Sequence, residues 1–259
     1  MNYRNCFINS IAASLFAIII SNQFAVTQFE KRSPNPGGYW IAYTGDNKIN
    51  SKIGIHSEAQ FRSLFLGGTV ESFLLRTGLN VYLKPYAMAT AGYGFFYAYP
   101  SSDEIIGSKT MEHRIWQQLI LRQKSKNIFM EHRYRLEQRF IENISTNKKR
   151  DDYRLRYRFQ VLFPMYSVSP HLRHFFVAVN SEVMLNFRSN PSRIFDRNRF
   201  FSGIGYQVSP KMNFQLGYLN QFSQVSGSSI AHKDHILQFS VSYNMDDLMQ
   251  SFFKKKQEI

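Results

Sequence analysis

From about Tyr39 onward the chain alternates apolar and polar residues with a period of two, in blocks of ten to fifteen residues. The pattern predicts strands at Tyr39–Gly45, Ser51–Arg62, Glu71–Leu83, Ala87–Tyr97, Met111–Gln123, Ile128–Ile141, Tyr153–Phe163, Leu172–Arg188, Arg197–Val208, Met212–Phe222 and His235–Asn244. In Ile128–Ile141 one face reads Glu131, Arg133, Arg135, Glu137, Arg139, and the other Ile128, Met130, His132, Tyr134, Leu136, Gln138, Phe140. In Tyr153–Phe163, Arg154, Arg156, Arg158 and Gln160 oppose Tyr153, Leu155, Tyr157, Phe159, Val161 and Phe163. No capped, 3.6-periodic run precedes Met245.

Which face meets water decides the class. A soluble antiparallel sheet turns its polar face outward, usually on strands of five or six residues. Here the strands reach the length that crosses a bilayer when tilted. Arg and Glu dominate the polar faces, while Lys falls mostly in the links. The planar guanidinium is the cation suited to buried, paired networks. The expectation is an all-β, antiparallel up-and-down transmembrane barrel of 10–12 strands, apolar outside and Arg/Glu-rich inside. Links shorter than four residues (84–86, 125–126, 209–211) alternate with longer ones (98–110, 142–152, 189–196, 223–234), as they do in bacterial barrels, except that 164–171 is intermediate where a short link is expected. The count of eleven conflicts with the even number such barrels normally have, so Tyr39–Gly45 either has an unseen partner or is not a wall strand. Trp40, Tyr97, Tyr99, Phe140, Phe163, Tyr166, Phe187, Tyr206 and Tyr243 are expected in interfacial belts. A soluble periplasmic β-sandwich or lipocalin-like binder is the rival architecture.

With a two-residue turn at Ser125–Lys126, Glu112 falls opposite Arg139, Arg114 opposite Glu137, and Gln118 opposite Arg133. Opposite charges facing across an antiparallel pair stabilise it. Parity then assigns to the lumen Glu58, Arg62, Arg76, Glu112, Arg114, Gln118, Arg133, Arg135, Glu137, Arg139, Arg154, Arg156, Arg158, Glu182, Asn186 and Arg199. One reading is a mutually paired network that fills a narrow barrel, because unpaired charge is costly in low dielectric. The other is a polarised lumen forming a small anion-leaning pore or holding an acidic ligand.

The first 27 residues change the picture of location. Arg4 precedes an apolar stretch, Phe7 to Ile20, too short to span a bilayer comfortably, and the small and polar run Ser21 to Gln28 follows. This is the layout of a secretory signal peptide, with an uncleaved anchor as the alternative. The expected organisation is signal peptide 1–27, barrel 28–244 and a basic C-terminal tail 245–259. Taking the single charge of Arg4 from the net +14 leaves +13 on the mature chain. Such a balance suits nucleic acid or an anionic surface, and export excludes the former. Cys6 is the only cysteine and lies in the leader, so neither a disulfide nor a Cys-based metal site is expected.

Catalytic signatures are absent: the chain holds no G-x-S-x-G, H-E-x-x-H or P-loop. Glu112 and Glu137 face arginines, which keep a carboxylate ionised and unsuited to general-acid work. His113 and His132 fall on the outward face, where a lipid hydrolase could carry its histidine, but no serine or asparagine arrangement accompanies them. No cofactor and no metal is expected. The expected partners are outer-membrane lipid and a small anionic solute.

The strings Glu112–Gln118 (EHRIWQQ), Arg133–Arg139 (RYRLEQR) and Arg154–Tyr157 (RLRY) resemble the family catalogued as domain of unknown function 2490. So do Trp40, Glu58–Arg62, Asn180–Glu182 with Asn186, Phe195–Arg199, Gly205–Tyr206 and Gly217–Leu219. The likeness runs from about Tyr39 to Tyr243, and R-x-R-x-E-Q-R is its most specific part. Arg197 stands where such families usually have Gln, and the basic tail is additional. The resemblance implies an exported, outer-membrane protein without an assigned activity.

Overall fold

A computed structural model describes residues 30–31, 37–63, 70–99, 109–125, 128–187, 194–224 and 230–243. The expected leader and the tail after Asn244 lie outside the described residues. A two-residue β1 (Glu30–Lys31) precedes the wall strands β2 (Gly38–Lys48), β3 (Ile53–Ser63), β4 (Val70–Lys84), β5 (Ala87–Ala98), β6 (Thr110–Ser125) and β7 (Ile128–Asn143). They continue with β8 (Lys148–Pro164), β9 (Phe175–Phe187), β10 (Phe195–Ser209), β11 (Met212–Gln224) and β12 (Ile230–Tyr243). Each wall strand pairs antiparallel with the next, and β12 closes the ring against β2. This is the closed, all-β barrel that the alternation predicts.

The closing pair is parallel, from Ile236 opposite Gly38 to Tyr243 opposite Gly45. Directions that alternate around a ring of eleven must repeat once, and the repeat falls at the seam. Eleven wall strands, counted among the described residues, thus replace the even number expected. Odd counts occur in membrane barrels outside the bacterial single-chain set. Tyr39–Gly45 is a wall strand whose second partner is the last strand. β1 continues the same parallel edge of β12, with Glu30 opposite Ile230.

Two expected links differ. The segment 142–152 is mostly strand, because β7 and β8 pair out to Asn143 and Lys148. The remaining turn, 144–147, ends on Asn147 at φ 52°, a left-handed conformation that asparagine tolerates. The link after β8 contains two short 3₁₀ turns, Met165–Ser167 and Pro170–Leu172, so β9 begins at Phe175 rather than Leu172.

The β6–β7 register also differs. Ser125 faces Ile128, leaving residues 126–127 as the connection, and partner numbers sum to 253 rather than 251. Arg114 therefore faces Arg139, Trp116 faces Glu137, and Gln118 faces Arg135. A slip of two residues leaves every side chain on its face, so alternation could not exclude it.

Ile41, Leu75, Leu79, Ile115, Leu136, Leu155, Ile204, Leu216 and Leu237 are exposed on the outer surface, while Arg135, Glu137 and Arg156 are buried inside. Phe140 and Phe187 lie toward one rim, and Phe163, Tyr206 and Tyr243 toward the other, all exposed. Trp40 is a correction to the belt expectation. It shares the parity of Ala42 and Thr44, is buried, and joins an interior apolar cluster with Phe129, Leu162, Phe176, Phe201, Leu219 and Ile236. Large interior rings need backbone without side chains beneath them. A Cβ on Gly92 would lie 2.1 Å from the Thr77 carbonyl oxygen and 2.8 Å from the Trp116 ring. One on Gly205 would meet the Phe176 ring at 2.1 Å.

The register is testable by cross-linking, since directly opposed Cα atoms lie within disulfide reach and diagonal ones mostly do not. Gln117→Cys with Leu136→Cys, opposed in the structure, should oxidise to an intramolecular disulfide. Gln117→Cys with Tyr134→Cys, opposed in the slipped register, should not. A reversed result on a reducing and non-reducing gel would restore the 251 register.

Candidate functional site

The barrel interior is the candidate site, and strand parity builds it. All sixteen lumen residues named from the sequence occupy inward positions, and most are fully buried. The arginines outnumber the carboxylates, so each acid is shared. Glu58 accepts two hydrogen bonds from Arg76 Nη1 at 2.9 and 3.0 Å, directly across β3–β4. The other terminal nitrogen of Arg76, Nη2, donates to Glu137 Oε1 at 3.0 Å. Glu137 Oε1 also accepts from Arg156 Nη1 at 2.9 Å. Arg156 Nη2 reaches both oxygens of Glu182, at 2.8 and 3.0 Å. Glu182 accepts in addition from Arg133 Nη2 at 2.6 Å and has Arg199 at 3.8 Å. One charged chain therefore links β3, β4, β7, β8, β9 and β10.

The Arg76–Glu137 contact crosses the lumen past β5 and β6. It can do so because β5 presents Gly92 and Gly94 inward; a Cβ on Gly94 would stand 3.0 Å from Arg76 Cγ. A second cluster sits on β6–β7. Glu112 accepts from Arg114 Nε at 2.8 Å and from Arg139 Nη2 at 3.0 Å. In the observed register those two guanidinium groups face each other, and the carboxylate one pair along holds them together. The Arg114–Glu137 opposition expected from the sequence does not form; Glu137 is opposite Trp116 on one side and Arg154 on the other. Arg154 donates to Asn186 at 2.8 Å and pairs with Asp196 at 3.1 Å.

Other arginines take amide oxygens and ring faces as their closest partners. Arg62 donates to Gln60 at 2.8 Å and lies 4.3 Å from the Trp40 ring, with Arg199 also over that ring at 4.8 Å. Arg135 donates twice to Gln118 Oε1, at 2.8 and 3.1 Å, and stands over Trp116 at 4.8 Å. Ring faces and amide oxygens thus supplement the acids.

Several participants escaped the sequence reading. Arg122 and Glu131 are directly opposed and paired at 3.0 Å, and Glu131 also accepts from Arg158 at 2.5 Å. The 253 register would have revealed that pair. A neutral relay runs from Gln118 to Thr90 (3.2 Å), Asn80 (2.7 Å) and Asp46 (2.8 Å), and Asp46 holds His56 Nδ1 at 2.8 Å. Nothing in the alternation marks Thr90 or Asn80 as more than inward polar residues. His113 and His132 face outward, and the hydroxyls of Tyr93 and Tyr157 partner them. Neither has a serine as hydrogen-bond partner among the described residues.

Inside the ring lies a cavity of about 190 Å³. It runs from Trp40, near the start of β2, to Ser242 and Tyr243 at the end of β12, with Arg133, Arg135 and Arg158 on the facing wall.

Removing one partner of a desolvated ion pair strands the other charge and costs about 3–5 kcal/mol. Glu137→Gln should therefore lower the urea midpoint of the folded band on a heat-modifiable gel, whereas Lys211→Gln in the 210–211 turn should leave it in place. Equal midpoints would mean that the network does not hold the barrel.

No curated protein matches the sequence. Among solved structures, a NanC porin in a rhombohedral crystal form superposes at a TM-score of 0.46 and 12% identity, covering 80% of this chain and 97% of that one. The sequence model of one family matches residues 37–231, most of the barrel, and the chain belongs to that family, the proteins of unknown function DUF2490.

Proposed function

We propose that the protein is exported and resides in the outer membrane of a Gram-negative bacterium, as a structural or passive barrel whose lumen is largely filled by its own side chains. The observation that carries this reading is the inversion of its faces. The outer wall exposes a belt of Leu, Ile, Phe and Tyr, and the arginines and carboxylates pair with one another across the interior. Exposed apolar surface on this scale is unfavourable in water and favourable in hydrocarbon. The leader-like first 27 residues supply the export route. Among the described residues no helix is long and apolar enough to cross a membrane.

A filled lumen follows from the same contacts. Arg76 reaches from β4 to Glu137 on β7, and Arg156 continues from β8 to Glu182 on β9, so salt bridges span the space a channel would need. The cavity favours a second reading, a small anion-leaning pore, because six arginines and four carboxylates line it.

Planar-bilayer recording separates the two. The purified protein should give no steady openings in symmetric salt, while fractionating with the outer membrane and migrating faster before heating than after. Steady anion-selective steps would replace the filled barrel with the pore.

A further inference from the structure

The cavity is more than space left over by packing. Its walls differ: β2, β11 and β12 contribute mostly small or neutral groups such as Ala42, Thr44, Gln215, Gln238 and Ser240, with Asp46 held by His56 and Asn80, whereas β7 and β8 contribute Arg133, Arg135 and Arg158. Three guanidinium nitrogens on the charged wall, Arg133 Nε, Arg135 Nη1 and Arg158 Nε, are buried and have no hydrogen-bond partner among the described residues. Arg135 itself is 1% exposed, and the nearest carboxylate to its Nη1 is Glu58 at 3.6 Å. Buried donors are normally satisfied, and leaving charged ones unmet is costly. The volume is well above the roughly 10–15 Å³ that one water requires, and below the about 300–1,000 Å³ of pockets for drug-sized ligands. Six arginines against four carboxylates leave the lining two charges positive.

We propose that this chamber binds a small solute carrying a carboxylate, with Arg133, Arg135 and Arg158 as its anchors. The planar guanidinium fork matches a carboxylate edge, and the amides of Gln160, Asn180, Gln215 and Gln238 are available to further polar groups on the solute. The inference rests on the closed-barrel reading and adds an occupant to it. A bound anion would neutralise the excess positive charge that the protein's own acids leave.

The test uses full-length mature protein folded in detergent, its folding verified by heat-modifiable migration, so that loss of binding is distinct from loss of the barrel. Titration calorimetry at matched ionic strength would compare acetate, succinate and citrate with neutral succinamide and with sulfate. We expect saturable binding of at least one carboxylate and none of succinamide. Arg158→Gln should weaken it about tenfold, the loss expected for one charge-assisted hydrogen bond. Gln160→Phe, which fills the chamber without removing an ion pair, should abolish binding even if Arg158→Gln fails to fold. Lys211→Gln should bind as the parent does. The proposal is overturned if no carboxylate binds, if succinamide or sulfate binds as well as the best carboxylate, or if Gln160→Phe leaves binding unchanged.

Discussion

The fold depends on burying many guanidinium groups beside fewer carboxylates. Each carboxylate must then serve more than one arginine: Glu182 meets Arg133, Arg156 and Arg199, Glu137 meets Arg76 and Arg156, and Glu112 meets Arg114 and Arg139. Sharing forces contacts between strands that are not neighbours. Those contacts in turn require inward glycines on β5, over which Trp116 and Arg76 pass. Cations without a close acid are laid on rings, Arg62 and Arg199 on Trp40 and Arg135 on Trp116. An interior tryptophan is ordinarily a packing residue; here both also act as counterparts to positive charge.

Much of this was legible in the sequence, and the limits have physical causes. A period of two assigns each residue to a face, so the strands and the apolar exterior could be drawn from alternation alone. The same period is blind to a slip of two, which is why alternation with a two-residue turn pairs Arg114 with Glu137 when its cross-strand neighbour is Arg139. The slip also hid the direct Arg122–Glu131 pair. Trp40 departs from its expected place for a different reason. Tryptophan is common at membrane interfaces, but its parity with Ala42 and Thr44 places it inside, and composition outweighed phase in that expectation. The Arg76–Glu137 bridge could not be foreseen from neighbouring strands, since it depends on the curvature that brings β4 and β7 together.

Closure was the remaining gap. Pairing between consecutive strands follows from short links, whereas the first and last strands meet only through the geometry of the whole ring. Eleven strands leave β2 and β12 running in the same direction, and parallel pairing is slightly weaker per residue than antiparallel. The inward side chains at the middle of the seam are small and neutral, Ala42 and Thr44 on β2 opposite Ser240 and Ser242 on β12, and no ion pair of the central chain crosses it.

That distribution accounts for the position of the chamber. Long arginines from β7 and β8 reach toward carboxylates on β6, β7 and β9, and the charged network condenses on that side of the ring. The strands near the seam carry too little side-chain volume to meet them, so space remains between Arg133, Arg135 and Arg158 on one wall and Gln215, Gln238 and Ser240 on the other. Asp46 on β2 is the carboxylate that the seam strands add to the lining, and it is held by His56 and Asn80 rather than by those guanidinium donors. With mostly neutral groups there, the excess positive charge of the lining faces a space able to admit a counter-ion from solution, and the filled half of the barrel becomes the scaffold that holds those donors in place.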